Sequence, residues 1–152
     1  MTFDESKEFA RHLDRGRAAV LEAAGRGEIN AADVAALRRE IFEDGFITRD
    51  EADALFALDR AAPVKCPEWT AFFVEAVTDH VVWQSRPSGV VNEAQGEWLV
   101  ARADACANVC ALAALVNVLA EAHRAPLWFL AAVRARAARG WAGVEEAKSA
   151  AA

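Results

Sequence analysis

The feature that most constrains this chain is a recurring phrase: a glycine, an apolar residue, then a polar side chain able to cap a helix. Its clearest copy is Asp44-Gly45-Phe46-Ile47-Thr48-Arg49-Asp50-Glu51, inside the stretch Glu40 to Asp59. Thr48 and Glu51 have capping-box spacing. The threonine hydroxyl accepts from the amide of Glu51, and the glutamate carboxylate reaches back to the amide of Thr48. Such a cap is worth about 1 kcal/mol and fixes where the next helix begins. Weaker copies are Gly27-Glu28-Ile29-Asn30-Ala31-Ala32-Asp33 and Gly89-Val90-Val91-Asn92-Glu93-Ala94-Gln95. A chain punctuated in this way folds as helices joined by tight corners, with Ile29, Ile47 and Val91 as apolar anchors just before the caps.

The stretches between the corners carry helical periodicity. A first helix is expected from Asp4 to Ala24, with Phe9, Leu13 and Val20 on its apolar stripe and Gly25-Arg26-Gly27 ending it. A second follows Asn30, with Val34, Leu37 and Ile41 inward, and a third runs from Thr48 through Leu55 and Phe56 to Asp59. Pro67 suits the first turn of a fourth helix. There Trp69, Phe72, Phe73, Ala76, Val77, His80 and Val81 make the strongest apolar face of the chain. Asn92 caps a fifth helix carrying Trp98 and Leu99. A sixth, roughly Asp104 to His123, is apolar nearly all round and belongs at the centre of the bundle. Pro126 begins a seventh, with Leu127, Trp128, Leu130 and Val133 inward and Arg134, Arg136 and Arg139 exposed; Gly140 ends it and Trp141 folds back onto the body. No stretch sustains period-two alternation. The expectation is an all-α, single-domain bundle of about seven helices with repeated helix-turn-helix corners, spanning residues 1–152 and frayed over 148–152.

A chain of 152 residues can bury a core without disulfides or a structural metal. Its net charge of -6 argues against nucleic acid or an anionic membrane as the main partner. Cys66, Cys106 and Cys110 lack disulfide-framework spacing, which suits a reducing cytoplasm. The start, Met1-Thr2-Phe3-Asp4-Glu5, has no signal-peptide character. The longest apolar run, Val109 to Ala120, is too short for a bilayer and contains Asn117. A cytoplasmic protein without a membrane span is expected.

Reactive constellations are sparse. Laid over a calcium-binding loop, Asp44, Gly45, Ile47 and Glu51 fit, whereas Glu40 is too long for the first ligand position and Phe42 cannot serve at the third. Glu40, Glu43, Asp44 and Glu51 are therefore candidate contacts for a weakly held divalent ion. Cys106 and Cys110, one helical turn apart, lack the second pair that zinc needs and read as buried free thiols. His80 reads as a core histidine, its catalytic alternative being acid–base work with Asp59 or Glu75. Phosphate-loop, nucleophile-elbow and metalloprotease motifs do not occur. The chain is expected to be non-enzymatic and to require no cofactor. Trp69, Trp98 and Trp128 read as core, whereas Trp83 and Trp141, near helix ends, mark an interface.

Three groups of residues carry a family resemblance: Asp44 to Ala52 followed by Leu55-Phe56 and Leu58; Trp69-Thr70-Ala71-Phe72-Phe73-Val74-Glu75-Ala76-Val77; and Gly89-Val90-Val91 leading to Glu97-Trp98-Leu99. Across roughly residues 40–102 the chain resembles the TerB-like proteins, small helical bacterial proteins named for a tellurite-resistance member. The resemblance implies an all-helical domain in the cytoplasm or at the inner face of the membrane, with an acidic metal-binding surface. It also implies a role in stress-response or surface-associated complexes, not catalysis. Asp44 and Glu51 are the positions to which a metal contact carries over. The chain departs from an open acidic surface in Arg38, Arg39, Arg49 and Arg60, which compete for those carboxylates. The functional expectation is a helical domain acting through protein–protein contacts in a bacterial stress response, its partner another protein or a second copy forming a homodimer. The alternative is a weak divalent-metal sensor or buffer at residues 40–51.

Overall fold

The computed structural model describes residues 18–41 and 46–139. These are mostly helical. The first helix, α1, occupies 18–26, followed by α2 (Ala31–Ile41), α3 (Arg49–Ala61), α4 (Pro67–Thr78), α5 (Glu93–Cys106), α6 (Val109–Glu121) and α7 (Leu127–Ala138). A π-helical turn, Asp79–Trp83, continues α4. The fold is all-α, as the periodicity requires. Its residues group into two compact units divided between Phe72 and Phe73, inside α4.

The caps set the first unit. Asn30 and Asp33 cap α2 reciprocally: the amide of Asp33 donates to Asn30 Oδ1 and the amide of Asn30 to Asp33 Oδ2, each at 2.9 Å. The Thr48–Glu51 box forms as expected, with the Glu51 amide 3.1 Å from the Thr48 hydroxyl and the Thr48 amide 3.0 Å from Glu51 Oε1. The anchor Ile47 is fully buried, as are Leu37, Leu55 and Trp69. The expected first helix from Asp4 lies outside the described residues up to position 17, and Val20 and Ala23 are its buried positions thereafter. One element was not legible in the periodicity. Two-residue strands β1 (Glu28–Ile29) and β2 (Val64–Lys65) pair in parallel, Glu28 opposite Val64 and Ile29 opposite Lys65. A strand of two residues has no alternation to detect.

The second unit repeats this grammar. Val90 forms a parallel bridge with Arg124, where β1 and β2 pair in the first unit. Asn92 caps α5, accepting from the Gln95 amide at 2.8 Å. Asn108 caps α6, accepting from the Ala111 amide at 2.9 Å, and Pro126 precedes α7 as Cys66-Pro67 opens α4. The N-caps Thr48 and Asn108, the helices α3 and α6, and the C-caps Ala62 and Ala122 all fall at one constant offset. Gly89 has φ +82°, and a Cβ there would sit 2.6 Å from the His123 ring, so only glycine fits this corner.

Three expectations about this unit are corrected. The sixth helix starts at Val109 and not near Asp104, because Ala107 adopts a left-handed conformation (φ 47°, ψ 50°) and ends α5. Cys106 and Cys110 thus lie on different helices, with only Cys110 buried. The face of α7 is rotated: Phe129 and Val133 are buried while Leu127 is 84% exposed and Trp128 37%. Gly96 permits this, since a Cβ there would lie 3.1 Å from the indole of Trp128, which rests on α5 and donates to Glu93 at 2.6 Å. Arg136, expected in solvent, makes a two-pronged pair with Asp104 at 2.6 and 2.7 Å, joining the last turns of α7 and α5.

Candidate functional site

Glu51 is 9% exposed and one of its oxygens serves the helix cap. Glu40 is half-buried, and its Oε2 is buried without a hydrogen-bond partner among the described residues. Glu43, Asp44 and Trp141 lie outside the described residues. Among the described residues no group of three or more His, Cys, Asp or Glu side chains is arranged to hold a metal ion. His80 is buried with its ring edge-on to Trp98, 5.4 Å between centroids. Asp59 accepts from the Trp69 indole at 2.9 Å and lies 3.7 Å from the Lys65 ammonium. Trp83 is 39% exposed at the end of the π-helical turn, the partly open aromatic expected there.

The second unit contains a shallow groove that sequence reading missed. A groove of about 480 Å³ is lined by Val74 of α4 and by Val109, Leu112, Ala113, Val116 and Ala120 of α6, with Asn117 as the polar part of its lining. The sixth helix was expected to be covered on every side. Instead Val109 is 40% exposed and Val116 46%. The constant offset between α3 and α6 supplies an internal control. The positions of α3 that match Val109, Ala113, Val116 and Ala120 are Arg49, Asp53, Phe56 and Arg60. Arg49 and Arg60 are exposed there, and Phe56 is buried. Three of these positions carry charge in the first unit, so the architecture does not demand that Val109, Ala113 and Ala120 be apolar. Val116, whose counterpart Phe56 is buried, is an apolar position left exposed in the second unit.

The end of the groove near the C-terminus of α6 is acidic. The amide of Asn117 donates to Thr78 Oγ1 at 2.8 Å and to Glu121 Oε2 at 2.9 Å, while the indole of Trp83 donates to Glu121 Oε1 at 2.8 Å. These bonds hold the Glu121 carboxylate in one orientation. Trp83 is also edge-on to His123, with 6.0 Å between ring centroids. Asp79 opens the π-helical turn that brings Trp83 to this place, and such turns recur at functional positions in other helices. Partial burial, reinforced by Glu75 and Glu121, pushes the Asp79 carboxyl above the usual aspartate range. An apolar trough with an oriented carboxylate at one end can seat an apolar side chain and a cation a fixed distance apart.

No family model, curated protein or solved structure matches this chain.

Hydropathy could not reveal the groove, because an alanine- and valine-rich helix reads as buried whichever neighbours it has. The signal that could have found it is the comparison of α6 with α3 at their common offset. Among the described residues no helix is long and apolar enough to cross a membrane.

Proposed function

We propose that this chain is a non-enzymatic helical module that acts through protein–protein contact, with the α6 groove as the contact surface. The observation that carries the reading is the apolar face of α6, exposed at Val109, Val116 and Ala120. There α3 has charge at the counterparts of Val109, Ala113 and Ala120 and a buried phenylalanine at that of Val116. Apolar grooves between helices are a common seat for an amphipathic helix. The resemblance to TerB-like proteins supports this reading and implies a bacterial module, in the cytoplasm or at the inner face of the membrane, serving a stress-response complex. A benzophenone photo-crosslinker at Val109 tests it in cells. The expected result is a protein adduct whose crosslinked peptide maps to the groove and which disappears in Val116→Glu. A folded protein giving no protein adduct at all contradicts the reading.

A second reading has one observation of its own. The buried Glu40 Oε2, without a partner among the described residues, sits at the end of α2 that leads into the acidic corner, where a divalent cation would satisfy it. Thermal unfolding with chelator and then with calcium, magnesium, manganese or zinc tests this. An ion at a hundredfold excess over its dissociation constant adds about 2.7 kcal/mol of stability. Loss of that gain in Glu40→Gln supports the site, and an unchanged midpoint with every ion removes it.

A further inference from the structure

We infer that the occupant of the α6 groove is the outward face of α7 from a second copy of this chain, docked head to tail. The inference rests on reading the groove as a protein-contact surface and adds the identity of the partner. What needs a partner on α7 is Leu127, a large apolar side chain left 84% exposed at the start of a helix. The exposed positions that follow it on the same face are Ala131, Arg134, Ala135 and Ala138. Small side chains let a helix lie close in a shallow trough, and Arg134 places a cation beyond them.

Spacing and charge match the groove. Ala113 in its floor is about 12 Å along the helix axis from Glu121, and Leu127 is about 10 Å from Arg134. With Leu127 seated among Leu112, Ala113 and Val116, a parallel α7 brings the Arg134 guanidinium to the acidic end. There Glu121 is held by Asn117 and Trp83, with Asp79 and Glu75 alongside. Partial burial, and then the two carboxylates around it, disfavour the charged form of Asp79, and an arriving guanidinium relieves the repulsion among the three. Trp83 presents a partly open indole to the same cation.

Groove and knob are carried by different elements, α4 with α6 for the one and α7 for the other, so the contact is heterologous: each copy offers one of each. A single helix in a single groove is a small interface, and the association is accordingly weak.

Sedimentation velocity of the full chain over a wide concentration range tests the inference. The parent self-associates as concentration rises. Leu127→Glu, which keeps the groove, and Val116→Glu, which keeps the knob, each weaken association by about tenfold or more. An equimolar mixture of the two then re-associates, because one variant supplies an intact groove and the other an intact α7. Arg134→Glu, at a solvent-facing position, weakens association in the same way, and Glu121→Lys in the same chain partly restores it. Three results overturn the inference: a parent that is monomeric at every concentration, association that Leu127→Glu leaves unchanged, or a mixture no more associated than its components. A monomeric parent that still crosslinks through Val109 to a different protein overturns this inference alone. Absence of both adduct and self-association overturns the contact reading as well.

Discussion

Asp79 carries its carboxylate on the π-helical turn beside Glu75 and Glu121, and its charged form is disfavoured in the folded protein by burial first and by those neighbours second. The consequence for stability follows from linkage. Below the ordinary aspartate range both states hold the proton and no penalty exists. As pH rises through that range the unfolded chain ionises first, and the penalty is complete above the raised folded value. Asp79→Asn therefore stabilises the protein at neutral pH, and the gain vanishes as pH falls through the usual aspartate pKa; urea unfolding at a series of pH values measures it. Asp104 behaves oppositely. Its pair with Arg136 lowers its pKa, so the stability it contributes is present above the ordinary aspartate range and is lost as pH falls through the depressed value. Thr48 shows what one hydroxyl contributes. Thr48→Ala removes half of the box that starts α3 and costs about 1 kcal/mol in denaturant unfolding. The capping boxes were legible in the sequence because each is written within four consecutive residues. The partners of Glu121 were not, since Trp83 lies 38 residues before it.

At the scale of elements, the chain's helices are set by their caps more than by their hydropathy. The periodic run from Asp104 to His123 reads as one helix, yet Ala107 interrupts it with a left-handed residue and Asn108 starts the next. An L-residue in that conformation is strained by about 1–2 kcal/mol and glycine is not. Ala107→Gly is thus expected to raise stability by about 1 kcal/mol in thermal or urea unfolding, whereas a comparable change inside α5 lowers it. A merged α5–α6 helix would give the reverse outcome. The same limit explains α7. Its apolar residues Leu127, Trp128, Phe129 and Leu130 are consecutive, so composition cannot say which of them faces inward. Gly96 decides it, by admitting the Trp128 indole against α5 and turning Leu127 to the outside. The parallel bridges at Val64 and Arg124 escaped for a different reason, being tertiary pairings of one or two residues with no local pattern.

Taken whole, the molecule repeats one helical plan in two units and uses the surface of the repeated helix differently in each. The sequence showed the corners of that plan, through its recurring glycine, apolar residue and cap, but not its duplication in two units. The proposed contact surface emerges when the copies are compared, for Arg49 and Arg60 in α3 show what α6 would carry at Val109 and Ala120 if these were ordinary solvated positions. On the proposed reading, Val109 and Val116 are apolar for contact and not for folding. Urea unfolding of Val116→Glu, at a protein concentration too low for self-association, tests this most directly. If these valines serve contact, stability stays within about 0.5 kcal/mol of the parent, as for other surface substitutions. A loss of about 2 kcal/mol or more, the cost of placing a charge in a packed core, would contradict it and return α6 to the interior of the fold.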